Sequence, residues 1–254
     1  MRPDPYSWSL HLEATVPILL LAIGYVVAVR RHLADTWRLA CFAGGIGVLL
    51  ATAVTPLDSL SYHLLLIHLL QNVVLAEWAP ALLVLGIPPT LANRVARIPL
   101  VRALTRPIVA LPLWLATYFA WHVPAAYDAA LRNDALLHLE HLTYVIAGVL
   151  LWWSVFHDSP WHPSDGARAL YLFVAFVLAS PIGLLLALLP DPVYAYYEGG
   201  GGLWGLEPLS DQQAAGVLMA VAEAVVFFTA FAVYVFRFMS AEERAAVEWE
   251  RLRT

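Results

Sequence analysis

Imidazoles are uncommon in apolar segments, and DALLHLEHLTY, residues 134–144, carries His138, Glu140 and His141 in one. His68 and Asn72 stand four apart in HLLQN and fall on one face of a helix, as do His138 and His141 at three apart. His122 precedes Val123-Pro124, and a later segment sets Gln212, Met219 and Glu223 in a stripe directly after Asp211. Imidazoles with a thioether form a donor set that copper accepts; imidazole also takes zinc, and the thioether tilts the choice toward Cu(I). Glu140 either orients an imidazole or caps the first helical turn. An alternative of equal weight is that these histidines and Gln212 serve only as interhelical hydrogen bonders. Glu77 and Glu223 lie deeper and suit a proton or ion path, or simply neutral hydrogen bonding. His157 and His162, in FHDSPWH, read as loop residues.

The elements that must position these groups are set by composition. The 254 residues are 61% hydrophobic and 13% charged, where a soluble domain carries about a quarter charged residues. Apolar tracts of bilayer-spanning length predict seven helices over 14–29, 37–54, 62–85, 107–123, 136–156, 169–189 and 212–238. The expected fold is therefore all-α, one transmembrane helical domain over residues 1–254. The first tract is followed by Arg30 and Arg31 rather than a small-residue cleavage site, which predicts a retained helix. The lone cysteine, Cys41, excludes an intrachain disulfide and any Cys-x-x-Cys metal site. Nucleotide loops, Ser-His-Asp arrangements and HExxH are missing, so an enzyme has little to build on. The formal charge of -5 gives nucleic acid no basic surface beyond the inner loops.

The arginines orient the bundle. With the N-terminus outside and the C-terminus cytoplasmic, twelve arginines fall in inner segments and only Arg2 and Arg132 in outer ones, as the positive-inside rule requires. In this topology His68, His122, His141 with His138, and the Gln212–Met219 stripe all reach the outer half of the bundle from separate helices. His63 also lies near the mouth, about 140° around its helix from His68.

The segments HLLQNVVLAEWAPALLVLGIP, RPIVALPLWLATYFAWHVPAAYDAAL, HLEHLTYVIAGVLLWW and DQQAAGVLM together resemble the caa3-type CtaG family of cytochrome c oxidase assembly factors, in the same order and over most of the chain. The resemblance implies a seven-helix, multi-pass protein of the bacterial plasma membrane that helps copper reach a haem-copper oxidase. It also implies that His68, His122, His141 and Met219 occupy the family's ligand positions, with His138 as a further donor. His63, Asn72, Glu140, Asp211, Gln212 and Glu223 would then line the pocket. Asn72 stands where the family commonly has a second histidine, so either the site has fewer imidazoles or His63 compensates. The expected cofactor is copper, as Cu(I), and the expected partners are an oxidase subunit and the lipid bilayer, with a second copy of the chain as a further candidate. Two rival functions are a haem- or quinone-binding redox protein and a metal-free assembly scaffold.

Overall fold

The computed structural model describes residues 3–8, 10–30, 34–199 and 203–253. Arg2 and Arg31, used in the orientation argument, lie outside the described residues. The chain is all-α in these parts. Helices α1 (Leu12–Val29) and α2 (Thr36–Val54) are followed by a short α3 (Pro56–Ser61) and by α4 (Leu65–Val73). A π-helical turn, Val74–Trp78, joins α4 to α5 (Ala79–Gly86), so the three form one span. Two short helices, α6 (Pro89–Val95) and α7 (Pro99–Leu104), lead into α8 (Pro107–Trp121) and α9 (Pro124–Arg132). Helix α10 (Asp134–Phe156), the pair α11 (Asp165–Ala179) and α12 (Pro181–Leu188), the short α13 (Ala195–Glu198) and the long α14 (Pro208–Arg253) complete the described elements.

Among the described residues, six helices are long and apolar enough to cross a membrane, or up to seven if α8 and α9, bent by 72°, count as one span. The chain is thus a multi-span helical membrane protein. Proline sets many of the helix starts, since α3, α6, α7, α8, α9, α12 and α14 each open on one. That position loses no hydrogen bond and suits the fixed φ of the ring.

The same residue type breaks spans. Pro124 forces Val123 into extended backbone, which stops α8 at Trp121 and turns the chain into α9. Pro80 lacks an N–H, so the carbonyl of Ala76 loses its intrahelical partner; the Trp114 indole Nε1 donates to it instead, at 3.3 Å. The π turn lies just before this proline, and α10 crosses it where Gly148 passes so close to the Ala76 carbonyl and Pro80 that no Cβ fits. Gly216 plays the same part between α14 and α12, where a Cβ would come within 2.5 Å of the Gly183 carbonyl. Lipid tails supply little drive for helix association, so close approach and interhelical hydrogen bonds hold the bundle. Examples are Tyr234 Oη donating to Val155 O at 2.6 Å and Trp78 Nε1 donating to Ala222 O at 3.1 Å.

The span read as 62–85 begins at Leu65, because Leu64 is still extended. The one read as 136–156 begins at Asp134, where the Asn133 side chain accepts from the N–H groups of Ala135 and Leu136. The span read as 169–189 begins at Asp165 and is divided at Ser180-Pro181. The last helix runs from Pro208 to Arg253, well past the apolar tract ending at 238, because Ala, Glu and Arg sustain a helix without an apolar stripe.

Candidate metal centre

The polar residues gather where α4, α9, α10 and the segment around α13 meet. His68, on α4, is fully buried, and its Nδ1 lies 3.1 Å from the Tyr197 hydroxyl. That hydroxyl donates its proton to Ser61 O at 2.6 Å, so it accepts from the ring, and His68 Nδ1 carries the hydrogen. Nε2 is left with its lone pair, pointing toward Glu140 Oε1 at 3.7 Å. A lone pair facing a carboxylate is repulsive unless a cation, a proton or a metal, lies between them. The separation is too long for a hydrogen bond and close to the distance of about 3.3 Å between two ligands on one tetrahedral ion with bonds of about 2 Å.

Glu140, on α10, is also fully buried, and Asn72 holds it by donating from Nδ2 to Oε1 at 2.9 Å. The spacing of His68 and Asn72 on one helical face thus serves a single carboxylate. His141 follows on α10, its ring 6.3 Å from that of His68 in an edge arrangement.

His122 occupies the break between α8 and α9. Its Nδ1 is 2.7 Å from the carbonyl of Tyr118, which can only accept, so this ring too is protonated on Nδ1 and keeps a lone pair on Nε2. Tyr127, on α9, stands between the two histidines, with its ring 4.8 Å from His68 and 6.3 Å from His122. Around these groups Tyr118, Tyr127, Tyr144, Tyr194 and Tyr197 form a buried aromatic wall. Sequence reasoning singled out none of these tyrosines. Their recurrence near the pocket histidines, as in TYFAWH and AAYDAAL, was the available signal.

Seven polar atoms in this group are inaccessible to solvent and make no hydrogen bond among the described residues: His68 Nε2, His122 Nε2, His141 Nε2, Glu140 Oε2, Asn72 Oδ1 and the hydroxyls of Tyr118 and Tyr127. Buried polar atoms are nearly always satisfied, and an unsatisfied one costs about 1–3 kcal/mol. Among the described residues, no three His, Cys, Asp or Glu side chains are drawn together closely enough to hold a metal ion as they stand.

The remaining candidates are placed elsewhere. His138 turns toward α1, with Nε2 3.9 Å from Glu13 Oε1. His63 points its Nε2 at the Pro3 carbonyl, 2.7 Å away, and makes up no second imidazole beside His68. Asp211 caps α4 from a different helix: its carboxylate accepts from the N–H of Leu65 at 2.7 Å and of Leu66 at 3.0 Å. Gln212 clamps the preceding loop, accepting from Val193 N at 2.7 Å and donating to the carbonyls of Asp191 and Leu186. Because Asp211 pairs with Leu65 and Ala222 with Trp78, α14 runs in the direction of α4, and Met219 lies level with the π turn rather than with His68. Met219 is buried there, and Glu223 follows it one turn on with both oxygens unpartnered among the described residues, as are those of Glu77 in the π turn.

A 25% identity extends over 226 residues to an uncharacterized protein of Mycobacterium bovis, and the same figure holds for one of Mycobacterium tuberculosis. Each alignment covers 78% of this chain and 34% of the relative, so the chain spans about a third of the length of the curated relatives it matches. No solved structure matches. The model of the family described as "Cytochrome c oxidase caa3 assembly factor (Caa3_CtaG)" matches residues 21–241. With most of its length covered by that match, the chain belongs to this family of assembly factors, and its multi-span helical architecture suits the bacterial plasma membrane.

Proposed function

We propose that this protein takes Cu(I) as cargo in the pocket of His68, Glu140, His141 and His122 and helps deliver it to a haem-copper oxidase subunit. The observation that carries the reading is the set of three histidine Nε2 atoms left unpaired around a buried, Asn72-held carboxylate. A network serving only as interhelical glue would have paired those atoms, which favours the metal-handling reading over the scaffold. Two of the rings have their Nδ1 atoms engaged, which fixes the tautomer that offers Nε2 to a metal. The carboxylate balances the positive charge of the cargo. Imidazole donors without thiolate leave Cu(I) exchangeable, as a delivery protein needs. Met219, one level deeper on α14, gives a soft donor to an ion moving along the bundle.

In this reading the whole chain is one transmembrane domain of seven spans, with α8 and α9 taken as one bent span. The N-terminus is outside and the C-terminus cytoplasmic, supported by the twelve-to-two distribution of arginines. The pocket then opens on the outer side, where the α8–α9 bend presents His122.

The test is copper content after anaerobic loading of purified wild type and of His122→Ala/His141→Ala. Wild type is expected to retain copper that the double variant loses. Equal content in both would overturn the copper reading.

A further inference from the structure

Four arginines precede α8, at the end of that helix remote from His122. From Pro88 to Ile108 the chain carries Arg94, Arg97, Arg102 and Arg106 and no acidic residue, and all four are exposed. Arg102 and Arg106 converge on one indole, with their guanidinium carbons 5.6 and 5.4 Å from the centre of the Trp161 ring. Trp161 stands in the connection between α10 and α11, so the ends of three membrane-crossing segments meet here. The acidic residues nearest to it in the sequence are engaged elsewhere, Asp158 with Arg168 and Asp165 with Arg237 at 3.4 Å. Among the described residues neither Arg102 nor Arg106 pairs with a carboxylate, and the indole N–H of Trp161, closed off from solvent, has no partner. This corner of the fold therefore holds positive charge and donors without acceptors. Leu100 and Ile108, beside the two arginines in the chain, expose most of their surface.

We propose that Arg102, Arg106 and Trp161 bind the phosphate of an anionic phospholipid, the guanidinium groups taking its oxygens and the indole serving as their platform. Two like charges over one ring repel each other, and stacking on the indole offsets only part of that. An anion between them removes the repulsion. The planar guanidinium matches phosphate oxygens in pairs, and the ring already holds both forks in place, so little side-chain freedom is lost when the anion arrives. Position selects the source of that anion. Arg106 immediately precedes a membrane-crossing helix and Trp161 joins two others, which sets the site at the level of lipid headgroups. Leu100 and Ile108 then give an acyl chain an apolar surface beside the phosphate. Soluble phosphate shares the chemistry but gains nothing from those side chains, and a zwitterionic lipid brings a cation that the arginines repel. The site lies away from the histidine pocket and does not depend on the copper reading.

The experiment is native mass spectrometry of the delipidated full chain in detergent, titrated in separate arms with phosphatidylglycerol, phosphatidylcholine and inorganic phosphate. Wild type is expected to hold one phosphatidylglycerol in preference to the other two. Arg102→Gln/Arg106→Gln is expected to weaken that binding by roughly 30-fold, for two arginines lost at the headgroup level. Arg94→Gln/Arg97→Gln removes the same charge from the same stretch and leaves Trp161 and its two arginines in place, so it should stay close to wild type. Arg102→Lys/Arg106→Lys keeps the charge without the flat fork and should fall between the two; it also serves if the glutamine variant does not fold, which melting temperatures in lipid-free detergent decide. Equal weakening in the two glutamine variants means diffuse attraction to a basic surface and overturns the site. Equal affinity of wild type for the two lipids overturns it as well, and inorganic phosphate binding as tightly as phosphatidylglycerol overturns the assignment to lipid.

Discussion

Replacing Glu140 with glutamine separates a metal pocket from a hydrogen-bond network, because the two predict opposite signs for stability. Glutamine has the same shape and its Oε1 still accepts from Asn72 Nδ2, as Glu140 does now at 2.9 Å. Its amide NH2 takes the place of Oε2, which has no partner among the described residues, so the hydrogen bond from Asn72 is kept. The substitution removes a buried negative charge while keeping the hydrogen bond from Asn72, so the metal-free variant should unfold at the same temperature as wild type or higher. The cargo loses its counter-charge. A unit charge about 4 Å from a carboxylate gains about 4 kcal/mol at an effective dielectric constant of about 20, which corresponds to roughly a thousandfold in affinity. Competition with a colorimetric Cu(I) chelator in detergent reads the affinity, and thermal unfolding of the metal-free protein reads the stability. Glu140→Gln should bind Cu(I) at least a hundredfold more weakly while melting no lower than wild type. Wild-type affinity, or a metal-free protein that melts well below wild type, would refute the assignment of Glu140 as the charge partner of the cargo.

Two further outcomes concern residues assigned structural work. Asp211→Ala leaves the buried N–H of Leu65 and the N–H of Leu66 without their carboxylate and should cost about 3 kcal/mol, with Asp211→Asn losing less; a melting temperature equal to wild type would remove the cap from the account. His157, at the end of α10, donates from Nε2 to Val84 O at 3.2 Å, and burial pushes its pKa down to about 4. The unfolded chain takes up a proton at this residue below about pH 6.5 and the folded chain does not until about 4, so stability falls as pH drops through that window, by up to about 3 kcal/mol. Unfolding measured across that range should show the decline in wild type and a flatter profile in His157→Gln; parallel profiles would count against it.

Hydropathy alone was enough to find the six helices that are long and apolar enough to cross a membrane, because twenty or so apolar residues per crossing is a length requirement that these segments meet openly. The breaks were less legible. Pro124 marked a stop, but the 72° turn and the return through α9 depend on Tyr127 packing between His68 and His122, a contact across about 60 residues that no local pattern announces. The π turn is similar: Pro80 is visible, yet the relief of its orphaned carbonyl comes from Trp114, on another helix. At the site, the face shared by His68 and Asn72 was readable from spacing, and the role of Asn72 as the holder of Glu140 was not. His138 shows the limit from the other side, since a three-residue spacing puts it on the general face of His141 but the arrival of Glu13 from α1 gives it a different neighbourhood.

The signature segment DQQAAGVLM shows why residues of one motif divide between architecture and chemistry. Asp211 satisfies the first N–H groups of α4, the helix that carries His68 three residues later, and Gln212 ties down the loop that leads to Tyr194 and Tyr197. Tyr197 in turn fixes the proton on His68. Gly216 then lets α12 approach to backbone contact, which sets the position of α14 and hence the depth of Met219. A helix end inside a membrane has no water to satisfy its free N–H groups, so a cap supplied by another span is also a register lock between the two. The segment therefore acts on the pocket through α4 and the tyrosines, and disruption of Asp211 or Gly216 should disturb His68 by displacement, with Met219 as the residue of this segment whose own side chain could meet the cargo.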